Sequence, residues 1–579
     1  MAGRRVGLLA GGVLALLALG PLLRRGYVLS YDMVFVPRLE LGRGLLGLGT
    51  AVPRAVSADL LVALASRVVP ADLVQKLLLA GVFVGAAAGA ARLSPAAGPL
   101  PRAAAAVLYA WNPFLYERLV MGHWGLLVSY AALPWVARAA IDLRAVAPGA
   151  TRRLILSLAV AAAGSPTGGL LAAATALCLV AAPPRRRPGV VGRGATVAGV
   201  AVAVNAPWVV PSLLRPGGVP VRAEGVAAFA ARPDGPLGTV GSLVGLGGIW
   251  NALAVPPGLG SWAWTAGFAV VLGVAAAGLP LLGRRWSPGA AAGLLLAAAA
   301  GLLLAAAPAL PGLRALAAAA VTQLPGGGLL RDSHKLVAPL ALAEAVCFGL
   351  GVERVLAALP PRWTRTAAAL LVAAPVLVLP ALAWGAAGRL AAVPYPAPFA
   401  EARAAMAADP AKGALLVLPW HLYRPYGWNG DRVVLEPAQR WFTRRSVGND
   451  DLELAGLTVP GEDPYAARLG PLVRGAAPLA PALPGAGVRW VLLYKEGDWR
   501  AWPGRLDGLV PVLDRPELAL YRVPARPAVV RFPAPPAAPV VAGDLLAAAL
   551  VAGAAAGLSL PFRSRRLVSS AREREGGPG

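Results

Sequence analysis

Charge is scarce in this chain: only 14% of its 579 residues are Asp, Glu, Lys or Arg, against about 25% in soluble domains. Cysteine is scarcer still. The two present, Cys178 and Cys347, each lie inside an apolar run, which excludes a disulfide framework and a Cys/His zinc site. The sequence also lacks a P-loop, a Rossmann fingerprint, an HExxH helix and a Gly-x-Ser-x-Gly elbow. Those absences argue against ATP-driven pumping and against common serine or zinc hydrolysis.

Apolar sequence fills the space left by these absences. Hydrophobic residues make up 57% of the chain, and its mean hydropathy is +0.64. Runs of Ala, Leu, Val and Gly approach or reach the roughly 20 residues that cross a bilayer core. The net charge of +26 does not indicate nucleic-acid binding, because the arginines form no single patch. Arg4, Arg5, Arg152, Arg153, Arg185, Arg186, Arg187, Arg284, Arg285, Arg563, Arg565 and Arg566 punctuate the apolar runs instead, as positive-inside loops do. The Ala, Gly, Arg and Pro bias, with little Lys, matches a high-GC bacterial genome.

The pattern gives a polytopic all-α membrane bundle of about twelve spans with a small α/β domain outside the membrane. The expected spans are 6–23, 73–91, 103–116, 125–141, 154–163, 169–182, 194–211, 261–283, 288–309, 336–352, 366–386 and 541–560. The first resembles a signal peptide, but Arg24 and Arg25 follow it without an Ala-x-Ala site, so it is expected to stay as a helix. The pair 154–163 and 169–182, split by Gly164 to Gly168, crosses twice or is re-entrant, with a single kinked helix as the alternative. From 387 to 540 charges, Trp and Tyr rise, and short β-like runs appear at Leu415 to Leu418, Val488 to Tyr494 and Leu518 to Val523. The expected division is therefore a membrane domain 1–386, an extracytoplasmic α/β domain 387–540, a last span 541–562 and a disordered cytoplasmic tail 563–579. Both termini then lie in the cytoplasm.

Three groups could carry chemistry. Asp32 follows the first span closely and suits a general base or a ligand to a divalent metal. Glu117, Arg118 and His123 lie within Trp111 to Trp124, a short connection rich in aromatics; these residues also suit interfacial anchoring. Arg331, His334 and Lys335 suit an anionic headgroup such as a phosphate, with snorkelling as the plain alternative. Lys76 is a further phosphate contact or a snorkelling helix end. Glu344, inside a span, is a functional-site hypothesis by its location. Trp420, His421, Tyr423, Arg424, Tyr426, Trp428 and Asn429 suit stacking on sugar rings or domain packing.

Asp32 after the first span, Asn112 to Trp124 with its Gly122-His123-Trp124, and Arg331-Asp332-Ser333-His334-Lys335 together resemble the GT-C superfamily of membrane glycosyltransferases. The actinobacterial arabinofuranosyltransferases of cell-wall synthesis are the group most like it. The resemblance implies a polyprenyl-phosphate sugar donor, a cell-envelope glycan or lipid acceptor, and action at the outer face of a bacterial cytoplasmic membrane. It implies Asp32 as the catalytic base; Arg331, Lys335 and Lys76 at the donor phosphate; and Glu117, Arg118, His123 and His334 orienting the acceptor. A Mg or Mn ion would sit at Asp32 and Glu117. The paired acids of some families are missing, so a second acid would be Glu40, Asp59 or Glu117. The competing readings are a transporter or flippase for lipid-linked glycans, with charges deep in the spans, and a non-catalytic assembly scaffold.

Overall fold

A computed structural model describes residues 2–182, 189–218, 223–454 and 456–558. The basic residues Arg185 to Arg187, Arg563, Arg565 and Arg566, the loop residue Arg222, and the tail expected to be disordered lie outside the described residues.

Among the described residues eight helices are long and apolar enough to cross a membrane: Arg5–Leu23, Ala71–Leu93, Trp124–Arg144, Val190–Leu213, Trp262–Arg285, Pro288–Ala309, Ser333–Ala358 and Ala537–Ala555. A ninth crossing is reached if Pro361–Val378 and Pro380–Ala387, bent by 66°, count as one. The other three of the twelve expected segments form the shorter helices Pro99–Ala110, Ala150–Gly164 and Pro166–Ala181. The chain is a multi-pass membrane protein. Helices dominate because lipid offers no partner to a backbone N–H or C=O, so each span must satisfy its own.

The short pair at 150–181 is two helices rather than one kinked one. Arg144, at the end of Trp124–Arg144, donates to the carbonyls of Leu179, Val180 and Ala182. The end of the second short helix therefore returns to the start of the first. The turn between them sits at the other end, where Ser129 Oγ donates to the Ala161 carbonyl at 2.7 Å and Ser165 Oγ caps Gly168 N at 3.0 Å.

Small residues let the spans approach closely, as packing in lipid requires. A Cβ on Gly351 would lie 1.7 Å from the Val274 carbonyl oxygen, and one on Gly278 would lie 2.0 Å from that of Cys347. These two contacts lock Trp262–Arg285 against Ala338–Ala358, the helix that carries the Arg331 to Lys335 motif at its start.

The C-terminal region holds a five-stranded mixed sheet in the order Val510–Asp514, Leu518–Arg522, Val488–Tyr494, Ala414–Leu418, Ser446–Val447. Its two central strands pair in parallel and are almost continuously apolar, as strands covered on both faces are. Leu415 and Val417 pack with Phe399 and Met406 of the Ala397–Ala407 helix. Leu416 and Leu418 face the other way, onto Leu469 and Val473 of Pro464–Arg474. The alternation is the period-two signature of a strand between two layers.

The segment after the first span is woven into this region. Tyr27 and Val28 pair antiparallel with Val393 and Ala392. Tyr31 bridges to the Arg432–Leu435 strand, donating to the Val433 carbonyl at 2.8 Å and accepting from Leu435 N at 2.9 Å. Asp32 is thereby fixed between the helical bundle and the strand-containing region.

Candidate active site

The loop bearing Asp32 is docked on the end of a short helix, Pro113–Val120. Ser30 Oγ donates to the Val120 carbonyl at 2.6 Å, and Asp32 N donates to that of Met121 at 3.2 Å. The approach demands a glycine: Gly122 has φ +72°, and a Cβ there would lie 2.2 Å from both Met33 N and Ser30 O. Two chain segments ninety residues apart thus meet backbone to backbone.

The sequence motif around Arg118 builds one connected network with them. Asp32 Oδ2 lies 3.2 Å from His123 Nε2, and the Tyr423 hydroxyl donates to Asp32 Oδ1. Arg118, fully buried, forks onto Asp332: Nη1 to Oδ2 at 2.6 Å and Nη2 to Oδ1 at 2.9 Å. The same two nitrogens also reach His123 Nδ1 at 3.0 Å and His334 Nδ1 at 2.8 Å. Beyond, His334 Nε2 faces Glu117 Oε2 at 3.4 Å, and Lys335 Nζ lies 3.3 Å from Asp332 Oδ2. Glu117 and Arg118 lie in a helix that Asn112 caps, its Oδ1 accepting from Leu115 N at 3.0 Å, with Pro113 at the first helical position; His123 follows the helix and its N–H donates back to the Arg118 carbonyl at 2.9 Å.

Electrostatics divides the carboxyls into two kinds. Burial pushes Asp32 up, but hydrogen bonds from His123 and Tyr423 and the Lys335 charge more than offset it and hold the carboxyl below its ordinary value. Burial pushes Asp332 up too, yet Arg118 and Lys335 hold it far below the usual carboxylate range. Burial lowers His123, and the cations Arg118 and Lys335 add to that against the opposing Asp32 charge, so its ring is neutral at pH 7. Glu117 behaves oppositely: burial and the adjacent Asp234 push it well above its ordinary value, and burial pushes Asp234 up to about 6. The two carboxyls converge on Gly247, whose Cβ would lie 3.2 Å from an oxygen of each. Their closeness adds to burial in raising Glu117.

Asp32 is the exposed member, with 40% of its side-chain surface open; Lys335 beside it is 25% open. Glu117 and His334 are sealed. The opening thus offers an ionised carboxylate and an ammonium, while the rest of the network lies behind them.

Other sequence candidates fall elsewhere. Lys76 binds the Arg24 carbonyl and Asp72, so its charge is used at the start of its own helix. Arg331 lies over the Phe229 ring at 4.7 Å, with Arg54 and Glu462 close enough for their charges to be felt. Glu40 pairs with Arg403, Arg67 and Arg38, and Asp59 takes a two-pronged pair from Arg440 at 2.9 Å. Of the three candidate second acids only Glu117 joins the network, and it stands at the far end from Asp32 with the Arg118 cation between. Among the described residues no three His, Cys, Asp or Glu side chains come together as a metal site would need. Both Asp32 oxygens already accept hydrogen bonds and two cations stand near, so these residues fit an anionic or hydroxyl ligand rather than a divalent ion.

The aromatic stretch from Trp420 to Asn429 is mostly packing. Tyr426 and Trp428 pack tilted or edge-on among Tyr395, Phe399 and Tyr494, and Arg424 is buried on Glu436 at 3.0 Å. Only Tyr423 among them reaches the site. Asp332 and Asp234 were also absent from the sequence-derived candidates. Asp332 sits inside the motif that named its neighbours, which was a usable signal; Asp234 had none.

No protein-family model matches the chain, and no curated protein matches it significantly. Its fold does match solved structures of the mycobacterial arabinofuranosyltransferase AftD. One has a TM-score of 0.62 at 17% identity over 90% of this chain and 40% of that one. A mutant of the same enzyme, in two classes, gives TM-scores of 0.60 and 0.56 at 17% and 16% identity. This chain spans about two-fifths of the length of those structures. It therefore shares the fold of that part of AftD over most of its own length.

Proposed function

We propose that this protein is a membrane glycosyltransferase that moves a sugar from a lipid-phosphate donor to a cell-envelope glycan or lipid acceptor. The observation that carries this reading is the ionised, exposed Asp32 held beside Lys335 where the helical bundle meets the strand-containing region. Asp32 removes the proton of an acceptor hydroxyl, and that oxygen attacks the anomeric carbon of the donor. The bond from that carbon to the phosphate oxygen breaks, and its electron pair leaves with the lipid phosphate. Lys335 neutralises the charge that develops there, as a fixed cation aimed at developing charge does. The products are the glycosylated acceptor, the lipid phosphate and a proton on Asp32. The phosphate is itself the leaving group, so no ATP is spent.

The site's place is the outer face of a bacterial cytoplasmic membrane. Arg92, Arg102, Arg152, Arg153, Arg284, Arg285, Arg362 and Arg365 flank the span ends away from Asp32, and the excess of Lys and Arg marks the cytoplasmic side. We take the lipid carrier to be a polyprenyl chain, and the likeness to the arabinofuranosyltransferase AftD supports an arabinofuranosyl donor. The test uses the full chain in nanodiscs with polyprenyl-phosphate-linked sugars and envelope glycan acceptors. Release of the lipid phosphate matched one for one by acceptor glycosylation supports the reading. Lipid-linked glycan moving between leaflets without cleavage contradicts it and supports a flippase.

A further inference from the structure

The arrangement around Arg118 has a consequence for the imidazoles it touches. A guanidinium has donors and no acceptor, and it stays protonated in proteins. Each nitrogen it contacts must therefore present a lone pair. Arg118 contacts Nδ1 of His123 at 3.0 Å and Nδ1 of His334 at 2.8 Å, so in both rings Nδ1 accepts and the proton of the neutral ring sits on Nε2. In both rings Nε2 then lies away from Arg118: that of His123 is 3.2 Å from Asp32 Oδ2, and that of His334 is 3.4 Å from Glu117 Oε2, beside the Leu246 and Gly247 backbone. The guanidinium cannot turn to release either ring, because the two-pronged pair with Asp332 fixes its plane.

We propose that Arg118 is a positioning residue that locks His123 and His334 in the Nε2–H tautomer, so that His123 serves Asp32 only as a hydrogen-bond donor and Asp32 is the sole proton acceptor at the opening. The tautomer rests on geometry alone; its consequence for Asp32 rests on the transferase reading above. His123 has no free lone pair with which to take the acceptor proton. It steadies one carboxylate oxygen while Tyr423 steadies the other, leaving the remaining lone pairs of Asp32 aimed outward. His334 holds the opposite side of Arg118 and never meets substrate.

The chain has three histidines, which makes the tautomers directly readable. Ring-¹⁵N-histidine protein in lipid is measured by solid-state NMR at pH 7.5, with His421→Asn removing the one ring outside the network. The two remaining rings are expected to show protonated Nε2 and bare Nδ1. A bare Nε2, or a doubly protonated ring, at either histidine overturns the lock. This reading holds whatever reaction the opening performs. The role at Asp32 is then tested by transfer assays on His123→Gln, whose amide N–H can replace Nε2–H, and His123→Asn, whose amide falls short. Gln is expected to retain at least about tenfold more activity than Asn, the effect of one hydrogen bond to a charged group. Equal activity of the two, with the ring signals as expected, keeps the lock and overturns the donor role; no transfer by wild type overturns the transferase reading and leaves the NMR result standing.

Discussion

Tyr423 and Asp32 lie 391 positions apart in the chain, and the tyrosine hydroxyl donates to an oxygen of the aspartate. The contact joins the strand-containing region to the loop after the first span, at the one exposed carboxylate of the network. Tyr423→Phe removes a hydrogen bond to a charged group and little else. Transfer activity is expected to fall about ten- to hundredfold with thermal stability nearly unchanged. An undiminished rate would show that Tyr423 does not set Asp32.

Gly122 fixes where Asp32 stands. Its positive φ disfavours any side chain, and the Cβ of Gly122→Ala would meet two backbone atoms of the Asp32 loop at 2.2 Å. The loop must move, and displacing a catalytic group by about 1 Å costs on the order of a hundredfold in rate. The measurement is the transfer rate alongside a melting curve. Activity lost while most of the melting temperature is kept is the expected pattern; an active variant would contradict the placement.

Much of this site was legible in the sequence, and the illegible part has one cause. Arg118, His123, His334 and Lys335 stood out because charged and ring residues are rare in so apolar a chain. The pairings did not, because Asp332 joins Arg118 across 214 positions and Tyr423 lies further still. Lys76 looked equivalent to Lys335 by type and by place at a helix start, but its charge is spent on Asp72 and a carbonyl nearby. The strands behaved likewise. Val488–Tyr494 showed itself by a run of apolar and aromatic residues broken only by Arg489, whereas Ser446–Val447 is too short and Val510–Asp514 too exposed to carry a pattern. The short helices at 150–181 were visible as a pair, and only Arg144 at their open end showed that the chain doubles back.

Arg118 and Asp332 form a buried ion pair, and removing Arg118 leaves the carboxylate with Lys335 as its one cation. Arg118→Met is expected to destabilise the fold by about 3 to 5 kcal/mol, read as a fall in the melting temperature in detergent. The double variant Arg118→Met with Asp332→Leu, which removes the buried carboxylate and leaves only the partly exposed Lys335 without its partner, is expected to recover part of that loss. Equal melting of wild type and Arg118→Met would contradict the pairing.

Asp234 gives stability a pH dependence. Its folded-state pKa of about 6 stands above its ordinary 3.8, so the folded protein binds the proton more tightly than the unfolded chain does. Stability therefore falls as pH rises from about 4 through 6, and Asp234→Asn flattens that slope. Melting temperatures at pH 5 and pH 7 for both proteins check it; a wild-type melting temperature that rises over the interval would contradict the assignment.

Asp32 is the centre of the account, and the most direct test is the envelope glycan composition of a deletion strain complemented with wild type or with Asp32→Asn at matched protein levels. The account predicts that wild type restores the missing sugar and Asp32→Asn does not. Full restoration by Asp32→Asn would contradict it and would assign the protein to transport or scaffolding instead.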